Sequence, residues 1–227
     1  FERTFVIEHR RMRDHAYMTG VQDNVYSQGE EDARHPSRLV FGALTNANSA
    51  VYNHTKGGKT AVFPMVGFDD LPLLSTAHPQ AGGGTVSNYV SGGGGPGRWY
   101  LVAKGARLPL KFLVADDYEM DEDPNSFAEN RTYRYRAFAQ VGVGVGDWRH
   151  IYSSDAEFNT ANLNAAIAAM AAFQDDHGDS IGSVPGLVVA PFSCREGVKA
   201  TLATELTANL QTNYNASDIG HLITPWL

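Results

Sequence analysis

Asp69, Asp70, Ser75 and His78 fall within ten residues of one another and supply the side chains of an acyl-transfer triad. In such a triad an imidazole takes the proton of a serine hydroxyl and a carboxylate orients the imidazole. The residue types are present but their setting is not: no Gly-x-Ser-x-Gly elbow presents the serine on a strand-to-helix turn, and His78-Pro79 reads equally well as a turn. Gly58-Lys59-Thr60 resembles the end of a phosphate-binding loop, yet the motif needs a glycine five positions before Gly58, where Asn53 stands. The acidic run Asp116, Asp117, Glu119, Asp121, Glu122, Asp123 could gather a hard cation, but it lacks the D-x-D-x-D-G spacing that wraps a loop around calcium. It reads as a solvated or intersubunit charged loop. Eight histidines and one cysteine include no His-Glu-x-x-His or Cys/His pattern, so no metal site and no cofactor is expected. What remains is a basic cluster, Arg10, Arg11 and Arg13, with the acidic run as a candidate partner across a subunit boundary.

The elements that carry these residues follow from periodicity and breakers. Phe1 to Glu8 reads as an extended segment. A helix is expected from about Val21, through Val25, Ala33, Leu39, Val40 and Ala43, with Pro36 producing a kink or two helices that meet near His35. From Lys56 to Gly97 breakers accumulate (Gly57-Gly58, Gly82 to Gly84, Gly92 to Pro96), which predicts a long loop region with short strands at most. Trp99 to Val102 and Lys111 to Val114 read as two short strands about Leu108-Pro109. From Thr132 to Val145, Tyr133, Tyr135, Ala137, Ala139, Val141 and Val143 alternate with Arg134, Arg136 and Gln140, the signature of a half-buried strand. The last third alternates strand and helix. A helix from about Thr160, with Leu163, Ile167 and Met170 inward, ends near Gly178, and a buried strand follows at Gly186 to Pro191. Ser193-Cys194-Arg195-Glu196 fits a capping box that opens a helix with Val198, Leu202 and Leu206 inward, and His221 to Leu227 forms a last strand.

The 227 residues suit one large domain or two small ones, and no run of 18 apolar residues is present. The lone Cys194 excludes an internal disulfide. A net charge of −7 is opposite to the basic footprint of proteins that neutralise phosphates, which argues against tight nucleic-acid binding.

Read in order, several segments resemble the Mu-like phage major head subunit (gpT) family of Hong Kong 97-type capsid proteins. They are Phe1-Glu2-Arg3-Thr4, His35-Pro36-Ser37-Arg38-Leu39-Val40-Phe41, Leu74-Ser75-Thr76-Ala77-His78-Pro79, Trp99-Tyr100-Leu101, Gly142 to Trp148, Leu187 to Pro191 and Pro225-Trp226-Leu227. The resemblance implies an α+β subunit with a spine helix, long peripheral strands, an axial α/β domain and an extended loop. By match, residues 1–20 would be the returning arm of that loop, and 21–56 with 116–155 the peripheral domain. Residues 57–97 would be a glycine-rich assembly loop, and 98–115 with 156–227 the axial domain. The family also implies an N-terminal arm and an outgoing loop strand upstream of Phe1, which the sequence, opening without Met, does not contain. The expectation is a trimmed or partly observed chain, because a maturation cut within the two-stranded loop would leave Phe1 to Glu8 without its pairing partner; an intact particle subunit of 24.6 kDa would contradict it. The axial units are expected after the long peripheral strand, a circularly permuted order.

The function so implied is that of a non-enzymatic major capsid protein that self-assembles into pentamers and hexamers of an icosahedral head enclosing DNA. Its implied partners are copies of itself, scaffold, portal and decoration proteins, with only weak non-specific contact to packaged DNA and none to a membrane. Its implied location is the virion capsid, assembled in the host cytoplasm. The candidate subunit contacts are Arg10, Arg11, Arg13, Asp116, Asp117, Glu119, Asp121 and Glu122. Rival readings are a soluble hydrolase using Ser75 and His78, and a tail-tube or baseplate protein.

Overall fold

The computed structural model describes residues 2–56, 58–105, 107–123, 131–204 and 213–227. The chain forms two compact units, Phe1–Leu39 with Phe112–Val143, and Val40–Lys111 with Gly144–Leu227.

The first unit is built on a three-stranded sheet. Strand β1 (Glu2–Glu8) pairs antiparallel with β9 (Thr132–Val145), from Glu2 opposite Phe138 to Glu8 opposite Thr132. The opening segment is therefore paired within this sheet. On the other side of β9 lies β8 (Leu110–Glu122), giving the order β1-β9-β8. The acidic run is thus part of a thirteen-residue strand and not a loop. Helix α1 (His15–Thr45) begins a full turn and more before Val21 because Asp14 caps it, its Oδ1 accepting the N–H of Ala16 at 3.0 Å and of Tyr17 at 3.3 Å. It also runs through Pro36 as one helix, so two separate helices do not meet near His35; His35 and Leu39 on either side of the proline are buried.

The second unit holds a five-stranded sheet in the order β12-β11-β7-β10-β6. At its centre is β7 (Gly94–Ala103), antiparallel to β10 (Ile151–Ala156) on one side and to β11 (Pro185–Pro191) on the other. Strands β12 (Gly220–Thr224) and β6 (Tyr89–Val90) add in parallel at the two edges. The sheet draws β6 and β7 from before the long strand β9 and β10 to β12 from after it, so the strand-and-helix unit does not lie wholly after that strand. Residues 144–155, grouped by sequence with the peripheral segments, belong to this second unit, as do 57–97.

The glycine-rich stretch is also more ordered than a loop. It contains the hairpin β2 (Val51–Lys56) and β3 (Lys59–Pro64), the small pair β4 (His78–Gln80) and β5 (Gly84–Val86), and the first residues of β7. Glycine at 93 and 95 is a packing requirement, since a Cβ at either position would sit 2.5 Å from the main chain of Asp155 and Ala156.

Two helices cover this unit. Helix α2 (Thr160–Ala171) is capped by Asn159, whose side chain accepts the N–H of Asn162, and it buries Leu163, Ala166 and Met170; it stops at Ala171, short of the expected Gly178. Helix α3 (Arg195–Leu202) buries Val198 and Leu202 as its spacing predicts. Its expected capping box does not form. The chain enters α3 through a 3₁₀ turn, Phe192–Cys194, so Ser193 already lies inside helical turns and Cys194 stands at the cap with no side-chain capping bond. Leu206 lies outside the described residues. A last one-turn helix, α4 (Asn215–Asp218), leads into β12, which ends at Thr224 and not at Leu227.

Candidate assembly surfaces

The basic cluster stands where β1 turns into α1. Arg10 and Arg11 belong to a 3₁₀ turn, His9–Arg11, and Arg13 follows just before the cap Asp14. Tyr17 organises this corner: its hydroxyl accepts the Glu8 N–H at 3.0 Å, and the Arg11 guanidinium lies 4.2 Å from its ring centre. All three arginines are exposed, and none is ion-paired among the described residues.

The acidic residues lie along β8, whose alternation divides them between two faces. Asp116 and Glu122 share a face with Tyr118, which is 2.8 Å from His35 Nδ1 on α1. Asp117, Glu119 and Asp121 point to the opposite face. All five are exposed, and none is ion-paired among the described residues. Nor do the arginine turn and the acidic strand pair with each other within the chain. The carboxylate that does pair is Asp123, 3.7 Å from both Arg134 and Arg136 of β9. The sequence carried that signal in the two arginines on the wet face of the alternating strand. Only the register showed which acid they would meet.

Strand β8 also exposes apolar side chains, with Leu113, Val114 and Met120 each more than half exposed. It occupies a sheet edge, where main-chain groups on one side lack a neighbouring strand. Charge, apolar surface and an open edge coincide on this one element.

The triad ingredients meet a different fate. Asp69 Oδ2 accepts a hydrogen bond from His78 Nδ1 at 2.6 Å, with both side chains buried, and the imidazole stacks on Trp148 at 4.0 Å and 5°. The serine does not join them. Its hydroxyl accepts the Ala77 N–H at 3.2 Å, while the buried Nε2 of His78 meets no hydrogen-bonding partner. Asp70 sits on a tight turn with φ 58°. The arrangement is a packed Asp-His-Trp cluster, without the nucleophile-to-base bond that acyl transfer needs.

Gly58-Lys59-Thr60 turns the β2–β3 hairpin and enters a strand, whereas a phosphate-binding loop must enter a helix. Among the described residues no cluster of three or more His, Cys, Asp or Glu could hold a metal ion, and no helix is long and apolar enough to cross a membrane.

The model of the family described as Mu-like prophage major head subunit gpT matches residues 1–227. The chain belongs to that family. This head subunit is a major capsid protein with the mixed helix-and-sheet fold of Hong Kong 97-like phage capsids. Three solved structures are similar to it along its whole length, each with a TM-score of 0.73. The procapsid of bacteriophage JBD30 is 24% identical, with 75% of that chain covered. The JBD30 capsid is 18% identical, with 74% covered. The JBD30 capsid decorated with minor capsid protein trimers is 19% identical, with 73% covered. At these identities the likeness is one of fold. Comparison with curated proteins found no match.

Proposed function

We propose that copies of this head subunit associate into hexamers and pentamers that close an icosahedral shell around a phage genome, with binding energy as the subunit's whole contribution and no catalysis. The observation that carries this reading is the thirteen-residue strand β8, exposed along nearly its full length at a sheet edge and bearing five carboxylates with no ion pair among the described residues. An isolated subunit gains nothing from such a strand, whereas a closed assembly covers the same surface on every copy. The turn bearing Arg10, Arg11 and Arg13 is a second contact surface of opposite sign. The first unit, with α1 and the long strands β8 and β9, serves as the peripheral domain, and the five-stranded unit as the axial domain.

Scaffold and portal proteins and a minor capsid protein are the partners in this reading, and assembly takes place in the host cytoplasm. The net charge of −7 suits an inner wall that contacts DNA weakly, because a wall that gripped phosphates would oppose packing and release. The burial of His78 against Asp69, with no hydrogen bond to the Ser75 hydroxyl, supports a non-enzymatic role.

Negative-stain electron microscopy with mass determination tests the reading on the full-length protein, expressed alone and with its scaffold. Closed shells, or free pentamers and hexamers, are expected. A persistent monomer, or an open helical tube, would overturn it.

A further inference from the structure

The two edges of the first unit's sheet carry charge of opposite sign. Strand β9 separates β1 from β8, so the edges stand about 10 Å apart. The arginine turn continues β1 at one edge, and the carboxylates line β8 at the other.

The turn sorts its three arginines. The Met12 N–H donates to the His9 carbonyl at 3.3 Å and the Asp14 N–H to the Arg11 carbonyl at 2.9 Å, so the chain advances in three-residue steps through Arg13. Side chains three residues apart on such a path stand on one side, about 6 Å apart along its axis. Arg10 and Arg13 are therefore a pair with a common direction. Arg11 lies a third of a turn away, with its guanidinium drawn onto the Tyr17 ring at 4.2 Å. Tyr17 also ties down the entry to the turn, since its hydroxyl accepts the Glu8 N–H at 3.0 Å.

Strand β8 sorts its carboxylates in a similar way. Tyr118 turns toward His35 of α1 and takes Asp116 and Glu122 to that face. The opposite face bears Leu113, Ala115, Asp117, Glu119 and Asp121, all exposed. Its three acids recur about every 6.7 Å and repel one another. Two neighbouring members of this row match the spacing of the arginine pair, and Glu119 belongs to either choice of two.

Resting on the shell reading above, we infer that the turn of one copy docks on the bare face of β8 in the next, with Arg10 and Arg13 against two of Asp117, Glu119 and Asp121. Because turn and row lie at opposite edges of one sheet, the contact is head-to-tail: each copy gives its turn to one neighbour and its strand to another. Such contacts close into rings when the rotation between copies divides a full turn, which is the geometry of pentamers and hexamers. A two-fold pairing of β8 with itself would instead set carboxylate against carboxylate.

Mixed assembly tests this contact on the full-length protein expressed with its scaffold. One variant carries Arg10→Glu and Arg13→Glu, the other Asp117→Lys, Glu119→Lys and Asp121→Lys; all five positions are exposed, and circular dichroism checks that each subunit folds. If the triple substitution disturbs β8, Arg13→Glu with Glu119→Lys makes the same comparison. Each variant alone is expected to lower particle yield about tenfold, whereas Arg11→Gln leaves it within about twofold. Mixed, the two variants are expected to form hexamers containing both in equal numbers, read by native mass spectrometry, because every turn then meets a row of opposite sign on a different copy. Pentamers should not recover in that mixture, since strict alternation closes only an even ring. Normal shells from either variant alone, folded variants that form no hexamers on mixing, or an Arg11→Gln loss as large as that of the arginine pair would overturn this inference and leave the capsid reading standing. An unaltered full-length chain that forms no shells would overturn both.

Discussion

Strands β7 and β8 are ten and thirteen residues long, are joined by a short connection, and both mix apolar with charged residues, yet the fold treats them in opposite ways. β7 is flanked on both sides by antiparallel neighbours and places Trp99, Tyr100 and Leu101 in succession at 1% exposure or less. Burial, partly offset by Arg98 and reinforced by Tyr89, pushes the Tyr100 phenol up to about 12. β8 has one neighbour in its sheet and leaves Lys111 through Asp117 exposed without a break. A monomer's stability comes from elements of the first kind. A shell subunit must also keep elements of the second kind, whose surface is covered only after association.

The contrast predicts that damage to the buried strand and its surroundings is read in the folding of one subunit, while damage to the exposed strand is read only in assembly. The largest effect is expected at Trp99, whose indole donates to the Ala156 carbonyl at 2.9 Å and meets Phe158 edge-on at 5.0 Å. Trp99→Ala should cost about 3–5 kcal/mol in chemical denaturation and leave little folded subunit to assemble. His78→Ala follows at about 3 kcal/mol, because it removes the Trp148 stack and strands the buried Asp69 carboxylate. A hydrolase would instead keep its fold and lose turnover, so a denaturation curve separates the two outcomes.

A smaller effect is set by pH and belongs to the same unit as β7. Burial, opposed by the nearby Asp147 carboxylate, holds His150 below the ordinary histidine range, so the folded state favours neutral imidazole. Its contribution is complete above about pH 6.5 and is lost as pH falls toward the folded value. Asp155 acts at lower pH. The Gly93 N–H, with desolvation opposing and the Gly92 N–H and Arg98 assisting, holds its carboxyl below the usual range. Stability from Asp155 is therefore present above the ordinary carboxylate value and lost as pH falls through the depressed one. The unfolding temperature should decline in two stages on acidification, and His150→Gln should flatten the first; a single stage near pH 4 would contradict the role given to His150.

The smallest effect on the isolated subunit is expected on β8. Glu119→Lys should change subunit stability by no more than about 0.5 kcal/mol while reducing particle yield, measured by sedimentation. If the same substitution unfolded the subunit, β8 would belong with β7 and the contrast drawn here would fail.

Where a segment's pattern and its surroundings agreed, the sequence sufficed. β9 runs from Thr132 to Val145 as its alternation predicts, because breakers bound it and one face is more covered than the other. Strand β11 and the first turn of α2 were legible for similar reasons. The acidic strand was not, since Asp and Glu have low strand propensity and the residues from Asp116 to Glu122 are extended because β9 pairs with them. Ser193-x-x-Glu196 misled for the converse reason: the local motif was intact, but the preceding 3₁₀ turn had already moved the helix start.

The candidate contacts divide along the same line. The lone cysteine excluded an internal disulfide by count alone, and the ordered segments sufficed for a resemblance to the head subunit family, because both need only the residues and their order along the chain. Which charges stay available to a neighbour was decided by tertiary structure alone. Arg134 and Arg136 meet Asp123 through strand register, and His78 bonds Asp69 while the Ser75 hydroxyl takes the Ala77 N–H instead. Pairing between residues far apart in sequence depends on the register and packing of whole elements, and no local spacing of residue types encodes it.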